Sequence, residues 1–143
     1  MKLLLLAKPD GKAMKSLSAY KYRNDIVIHE KASIIDEAAL FASSYAVLIM
    51  PNDGQPVFNT LKAMQCRAPV IAAENPAVNE IARAAALYAE NVTATGIGEK
   101  LMLLYTNEKL RNQLIKKGEI AAGNFSIQQT AGLLRNCISK AVK

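Results

Sequence analysis

The chain has 143 residues, 51% of them apolar, which suits one domain with a sizeable core. Lysine and arginine number 18 against 12 aspartates and glutamates, a formal charge of +6 that favours anionic partners only weakly. No stretch reaches the roughly 20 apolar residues of a membrane-spanning helix, so the chain reads as soluble.

In chain order, the opening MKLLLLA stops at Lys8-Pro9-Asp10-Gly11, well short of the roughly 7–15-residue core of a signal peptide. It reads as a buried strand over residues 2–7. Asp10 suits the cap of a helix carrying Met14 and Leu17 inward. A second strand covers 26–29 and ends at His29, the only histidine. Ser33 with Asp36 forms a capping-box pattern before Ala38-Ala39-Leu40-Phe41. A third strand, 46–50, runs into Asn52-Asp53-Gly54-Gln55, residues suited to a tight turn.

Pro56 suits the first turn of a helix running to about Arg67, and its free N–H groups around Val57, Phe58 and Asn59 favour an anion. Strands at 69–73 and 86–89 follow. The first four strands are apolar enough to be buried on both faces. Thr95-Gly96-Ile97-Gly98-Glu99-Lys100 reads as a cap and turn, since it lacks the spacing and ending of a phosphate loop. A helix opened by Thr106-Asn107 turns Leu110 and Leu114 inward. Its basic run of Lys109, Arg111, Lys116 and Lys117 is interspersed with Glu108 and Glu119 and reads as a solvated face. No nucleic-acid partner is expected, and nothing in that run supports a membrane surface.

The last helix, from Ser126 with Gln129 as a capping box to about Ser139, spaces Leu133, Leu134 and Ile138 as a stripe to be packed on the sheet. Cys66 and Cys137 lie in apolar helical patterns without metal-ligand spacing. They read as buried free thiols in a reducing, cytoplasmic setting. Strand–helix alternation with a helical tail gives an α/β fold: a doubly wound parallel sheet of about five strands, helices on both faces and C-terminal helices.

Read in order, "YAVLIMPND", "LKAMQCRAPVIAAENPAVNEI", "ALYAEN", "YTNEKLRNQLIKKG" and "GNFSIQQTAGLL" resemble the C-terminal Rossmann-like half of retaining GT-B glycosyltransferases, group 1 or family 4. In that family a strand ending in Pro leads to a Glu-Gly-Phe-Gly-like loop and a helix ending Glu-Ala-Met-x-Cys-Gly-x-Pro-Val-Val-Ala, then a loop ending in Glu-Val or Glu-Ile. Ala63-Met64, Cys66, Pro69-Val70-Ile71-Ala72 and Glu80-Ile81 hold those places. The resemblance covers nearly all of residues 1–143 and implies that the N-terminal acceptor domain and the first strand of the C-terminal half are absent.

What the resemblance implies is a crevice after Pro51 and after Ala73 that holds a UDP- or GDP-sugar, as substrate, for hexosyl transfer to a saccharide or lipid-linked acceptor. It implies no metal and no further cofactor. The family's two motif glutamates fall on Gly54 and Lys62, so both are missing. Lys62 carries only donors and cannot accept the ribose diol as a carboxylate does. Asp53, with Gly54 and Gln55 beside it, is the candidate stand-in for the first glutamate. Glu80 matches a position near the donor phosphates and ribose, and is equally suited to a helix first turn. Lys8 and His29 are strand-end candidates for the diphosphate and the nucleobase.

Alone, this chain is not expected to transfer sugar, and a non-catalytic diverged relative is the alternative. A receiver-like or flavodoxin-like binding domain is the rival fold. A receiver needs clustered oxygen ligands for Mg²⁺ and the phosphoryl group, but Ala7 and Lys8 follow the first strand and the acceptor position falls on Val47.

Overall fold

The computed structural model describes residues 2–6, 10–29, 33–50, 58–90 and 92–142. The chain divides into two compact units, Met1–Ala39 and Leu40–Lys143.

The first unit contains β1 (Leu3–Leu6), α1 (Gly11–Ser18), a 3-10 turn at Arg23–Asp25 and β2 (Ile26–His29). The strands pair in parallel, Leu3 opposite Ile26 and Leu6 opposite His29. Asp10 caps α1 as its sequence suggests, Oδ1 accepting from Ala13 N at 2.7 Å. At the start of α2 (Ile34–Ser43) the capping box is closed: Asp36 N donates to Ser33 Oγ at 3.2 Å, while Ser33 N and Oγ donate to Asp36 Oδ2. Those bonds, the hydroxyl's first, hold the Asp36 carboxyl below its ordinary pKa. None of the described residues of this unit is buried. The expectation that β1 and β2 are buried on both faces is therefore not met, because a pair of four-residue strands has too little surface to close a core.

The second unit continues with β3 (Val47–Ile49), α3 (Phe58–Gln65), β4 (Val70–Ala73), α4 (Pro76–Ala82), a 3-10 turn at Arg83–Ala85, β5 (Ala86–Ala89), α5 (Ala94–Thr106), α6 (Glu108–Gly123) and α7 (Ile127–Ala141). Its sheet is parallel in the order β3-β4-β5, with Val47 opposite Val70 and Val70 opposite Ala86. Successive strand residues point to opposite faces, and the core divides accordingly. Val47, Ile49, Val70, Ala72 and Ala86 pack with Ala63 and Met64 of α3 and Val78 and Ala82 of α4. Ile71 packs with Leu104 of α5 and Leu114 of α6, joined by half-buried Leu48, Leu87, Leu101 and Leu110. This is a layered α/β unit with helices on both sheet faces. The described strands form two separate parallel sheets, of two and three strands, and not one sheet of five.

α6 reaches both layers, giving Leu114 to one and Ala122 to the other. It lies close to α3 at Gly118, where a Cβ would come within 3.2 Å of Met64 Cγ. α3 ends in a Schellman turn: Ala68 N donates to Ala63 O at 2.9 Å and Arg67 N to Met64 O at 3.1 Å. Arg67 takes a φ of 61° there, at the position where the resembled motif carries glycine.

Two further expectations are corrected. The Gly96 and Gly98 stretch is no turn: it forms the first turns of α5, capped by Thr93, whose Oγ1 accepts from Gly96 N at 3.1 Å. Two glycines cost a helix interior about 1 kcal/mol each, and burial of Leu104 in that helix offsets this. α7 forms over the expected residues with Ser126 as its cap. It is not packed back on the sheet, however, since none of its residues is buried and Leu133, Leu134 and Ile138 are exposed. Cys137 on α7 is exposed and Cys66 half-buried, both free, so neither thiol is fully enclosed as expected.

Ile71→Ala should cost about 3 kcal/mol of unfolding free energy in a urea titration. Leu133→Ala should stay within about 0.5 kcal/mol of the parent. Arg67→Gly should stabilise by about 1 kcal/mol, because glycine enters the left-handed region without the Cβ clash.

Candidate functional site

In a parallel sheet the loops at the carboxyl ends of the strands are free to carry contacts. In the second unit that edge is Met50 after β3, Glu74 and Asn75 after β4, and Glu90 after β5. Asp53, Gly54 and Gln55, with Pro56 and Val57, lie outside the described residues, as does Lys8. α3 and α4 both rise from this edge and contact each other.

Lys62 is half-buried in the second turn of α3 and takes part in an interaction there. Glu80 is exposed on α4. Val78 and Ala82 form the buried stripe of that helix, and a residue two places from each lies on its other side. Glu80 thus sits in the second turn of α4, and not in the first turn that its sequence suits. The α4 N-terminus is occupied by Asn75, whose Oδ1 accepts from Ala77 N at 2.9 Å and Val78 N at 3.4 Å. Pro76 at the first helical position has no N–H to offer. His29 belongs to the first unit, half-buried at the end of β2 and paired with Leu6.

Sequence reasoning passed over two residues. Thr60 on α3 is fully buried, and its hydroxyl has no hydrogen-bond partner among the described residues; Asn79 on α4 buries its Oδ1, which likewise has none among them. An unsatisfied buried polar atom costs about 1–3 kcal/mol. The available signal was a polar side chain at an inward position of each helix, Thr60 one turn before Ala63-Met64 and Asn79 beside Val78.

Glu74 and Glu90 follow Ala73 and Ala89, which face each other across β4 and β5, so two exposed carboxylates share the edge. Tyr88, two residues earlier on β5, donates from its hydroxyl to Arg83 O at 2.9 Å. Burial, and then the Glu74 charge, raise its pKa above the ordinary 10.0.

Among the basic residues of α6, Lys109, Lys116 and Lys117 are exposed, as a solvated face requires. Arg111 is not part of that face. Its guanidinium lies 4.7 Å from the Tyr45 ring centre and its Nε donates to Tyr45 O at 3.4 Å. The tyrosine hydroxyl in turn donates to Leu104 O at 3.2 Å.

Two shallow cavities of about 330 and 440 Å³ lie where α6 turns into α7; neither is lined by Lys62 or Glu80. Among the described residues no group of three or more His, Cys, Asp and Glu side chains forms a metal site, and no helix is long and apolar enough to cross a membrane. No protein-family model matches the chain, and a search of curated proteins returns no match.

Thr60→Val, which keeps the shape and removes a buried hydroxyl that has no partner among the described residues, should raise stability by about 1 kcal/mol in denaturant melts. Alkaline titration of tyrosinate absorbance should contain a component above 10.0 that Tyr88→Phe removes and Glu74→Gln moves down. Because the folded pKa lies above the unfolded one, this group's contribution to stability is complete below 10.0 and is lost as pH rises through the folded pKa. Tyr88→Phe should lack that alkaline loss.

Proposed function

We propose that the chain is the donor-nucleotide half of a GT-B-type glycosyltransferase, binding a UDP- or GDP-sugar at the carboxyl edge of the β3-β4-β5 sheet. One observation carries the reading. The parallel pairing of β3, β4 and β5 sends α3 and α4 up from neighbouring strand ends, so the motif positions Lys62 and Glu80 stand on two helices that contact each other. In this reading the three strands with helices on both faces are part of a Rossmann-like doubly wound domain.

An acceptor domain from the same protein would complete the enzyme, in a cytoplasmic setting that suits two free thiols. A diverged, non-catalytic relative is the second reading. It is favoured by Lys62 standing where the family's diol-accepting carboxylate belongs, since an ammonium cannot accept.

Isothermal titration should give millimolar dissociation constants for UDP or GDP with the isolated chain. A lost charge-assisted ribose contact is worth about 1.5–3 kcal/mol. Lys62→Glu should tighten a ribonucleoside diphosphate more than its 2′-deoxy counterpart, because a carboxylate accepts from both diol hydroxyls. Unchanged affinity, or equal weakening of both nucleotides, would remove the ribose assignment from α3 and leave the non-catalytic reading standing.

A further inference from the structure

We propose that α7 is an interfacial helix that lies on a lipid bilayer containing anionic headgroups. The helix is complete and capped at both ends, by Ser126 Oγ on Gln129 N and by Val142 N donating to Ile138 O, yet none of its residues is buried. Ile127 is 85% exposed, Leu133 67%, Leu134 61%, Ile138 56% and, just past its end, Val142 82%. At about 100° per residue these side chains, with Ala131, Cys137 and Ala141, cover one half of the helix, in which Thr130 is the one hydroxyl-bearing residue. Gln128, Gln129, Gly132, Asn136 and Ser139 fill the other half.

Charge selects the occupant of that face. Arg135 and Lys140 fall on its two borders, each about 110° from its middle at the same helical pitch. The sequence contains no aspartate or glutamate after Glu119, while Arg135, Lys140 and Lys143 follow it. Long basic side chains at a polar–apolar border lay their stems along apolar surface and extend their charges to headgroup level. A second copy meeting α7 face to face would set like charges against each other along both borders. An anionic surface instead attracts each of them. The groove of about 440 Å³ between α7 and α3, lined by Phe58, Leu61, Phe125, Ile127, Ala131 and Leu134, extends the apolar face.

The whole chain is tested by flotation with vesicles of phosphatidylcholine alone and of phosphatidylcholine with about a third phosphatidylglycerol. It should float with the anionic vesicles, and 0.5 M salt should weaken the association. Arg135→Ser with Lys140→Ser should lower vesicle affinity about thirtyfold, from the contribution of two basic residues near an anionic surface. Leu134→Glu with Ile138→Glu should abolish association while the circular dichroism spectrum stays that of the parent, since both sites are exposed. The chain has no tryptophan, so Leu134→Trp supplies a single probe whose emission should shift to the blue on adding anionic vesicles and stay put with neutral ones. No association with anionic vesicles overturns the proposal, as does association that survives the glutamate pair. A concentration-dependent dimer in light scattering, lost in the glutamate pair and accompanied by no vesicle binding, assigns the face to a second copy and overturns it as well.

Discussion

The second unit depends on burying β4 on both faces at once. Val70, Ile71 and Ala72 are wholly inaccessible, and a strand in that position needs a helix layer on each side. Val70 and Ala72 are covered by the packing of α3 and α4, Ile71 by that of α5 and α6. Loss of either layer would expose a β4 face to water at about 25 cal/mol per Å² of apolar surface. The position of α6 follows, because it is the helix that contributes to both layers. Close approach to Met64 in turn leaves only a narrow gap at Gly118.

That arrangement also determines what the carboxyl edge can offer. Anion binding at a helix start needs unoccupied backbone donors, and in α4 these are taken by Asn75 or absent at Pro76. The polar resources of the two helices are side chains instead: the ammonium of half-buried Lys62 on α3 and the carboxylate of exposed Glu80 on α4. With Glu74 and Glu90 on the same edge, these resources suit hydroxyl groups more than phosphate. The donor-binding proposal stands on the hydroxyl-bearing part of a nucleotide sugar, and its diphosphate would need cations from outside the described edge.

Helix capping was legible in the sequence for α1, α2, α6 and α7, because the cap bond joins residues three apart, while the caps Asn75 of α4 and Thr93 of α5 were not read. Asp10, Ser33 with Asp36, Asn107 and Ser126 all close the bonds their spacing suggests. The stretch from Thr95 to Lys100 was misread because two glycines weigh against a helix locally, whereas the burial of Leu104 that stabilises it involves Ile71 and Leu114 from distant parts of the chain. Thr60 and Asn79 were missed for the same kind of reason. A threonine or an asparagine in a helix is unremarkable until burial removes its water and leaves it without a partner.

By itself the sequence determined the α/β class, the position of most strands within a residue or two, and the caps of α1, α2, α6 and α7, since these depend on local spacing and on the periodicity of apolar side chains. It equally determined the apolar stripe of Leu133, Leu134 and Ile138 on α7. Tertiary structure decided which apolar faces are covered. β1 and α7 have patterns as suited to burial as β4, and only β4 acquires two helix layers. A hydrophobic pattern records the capacity of a segment to be buried, and the partner that realises it comes from residues far away in the chain or from outside it.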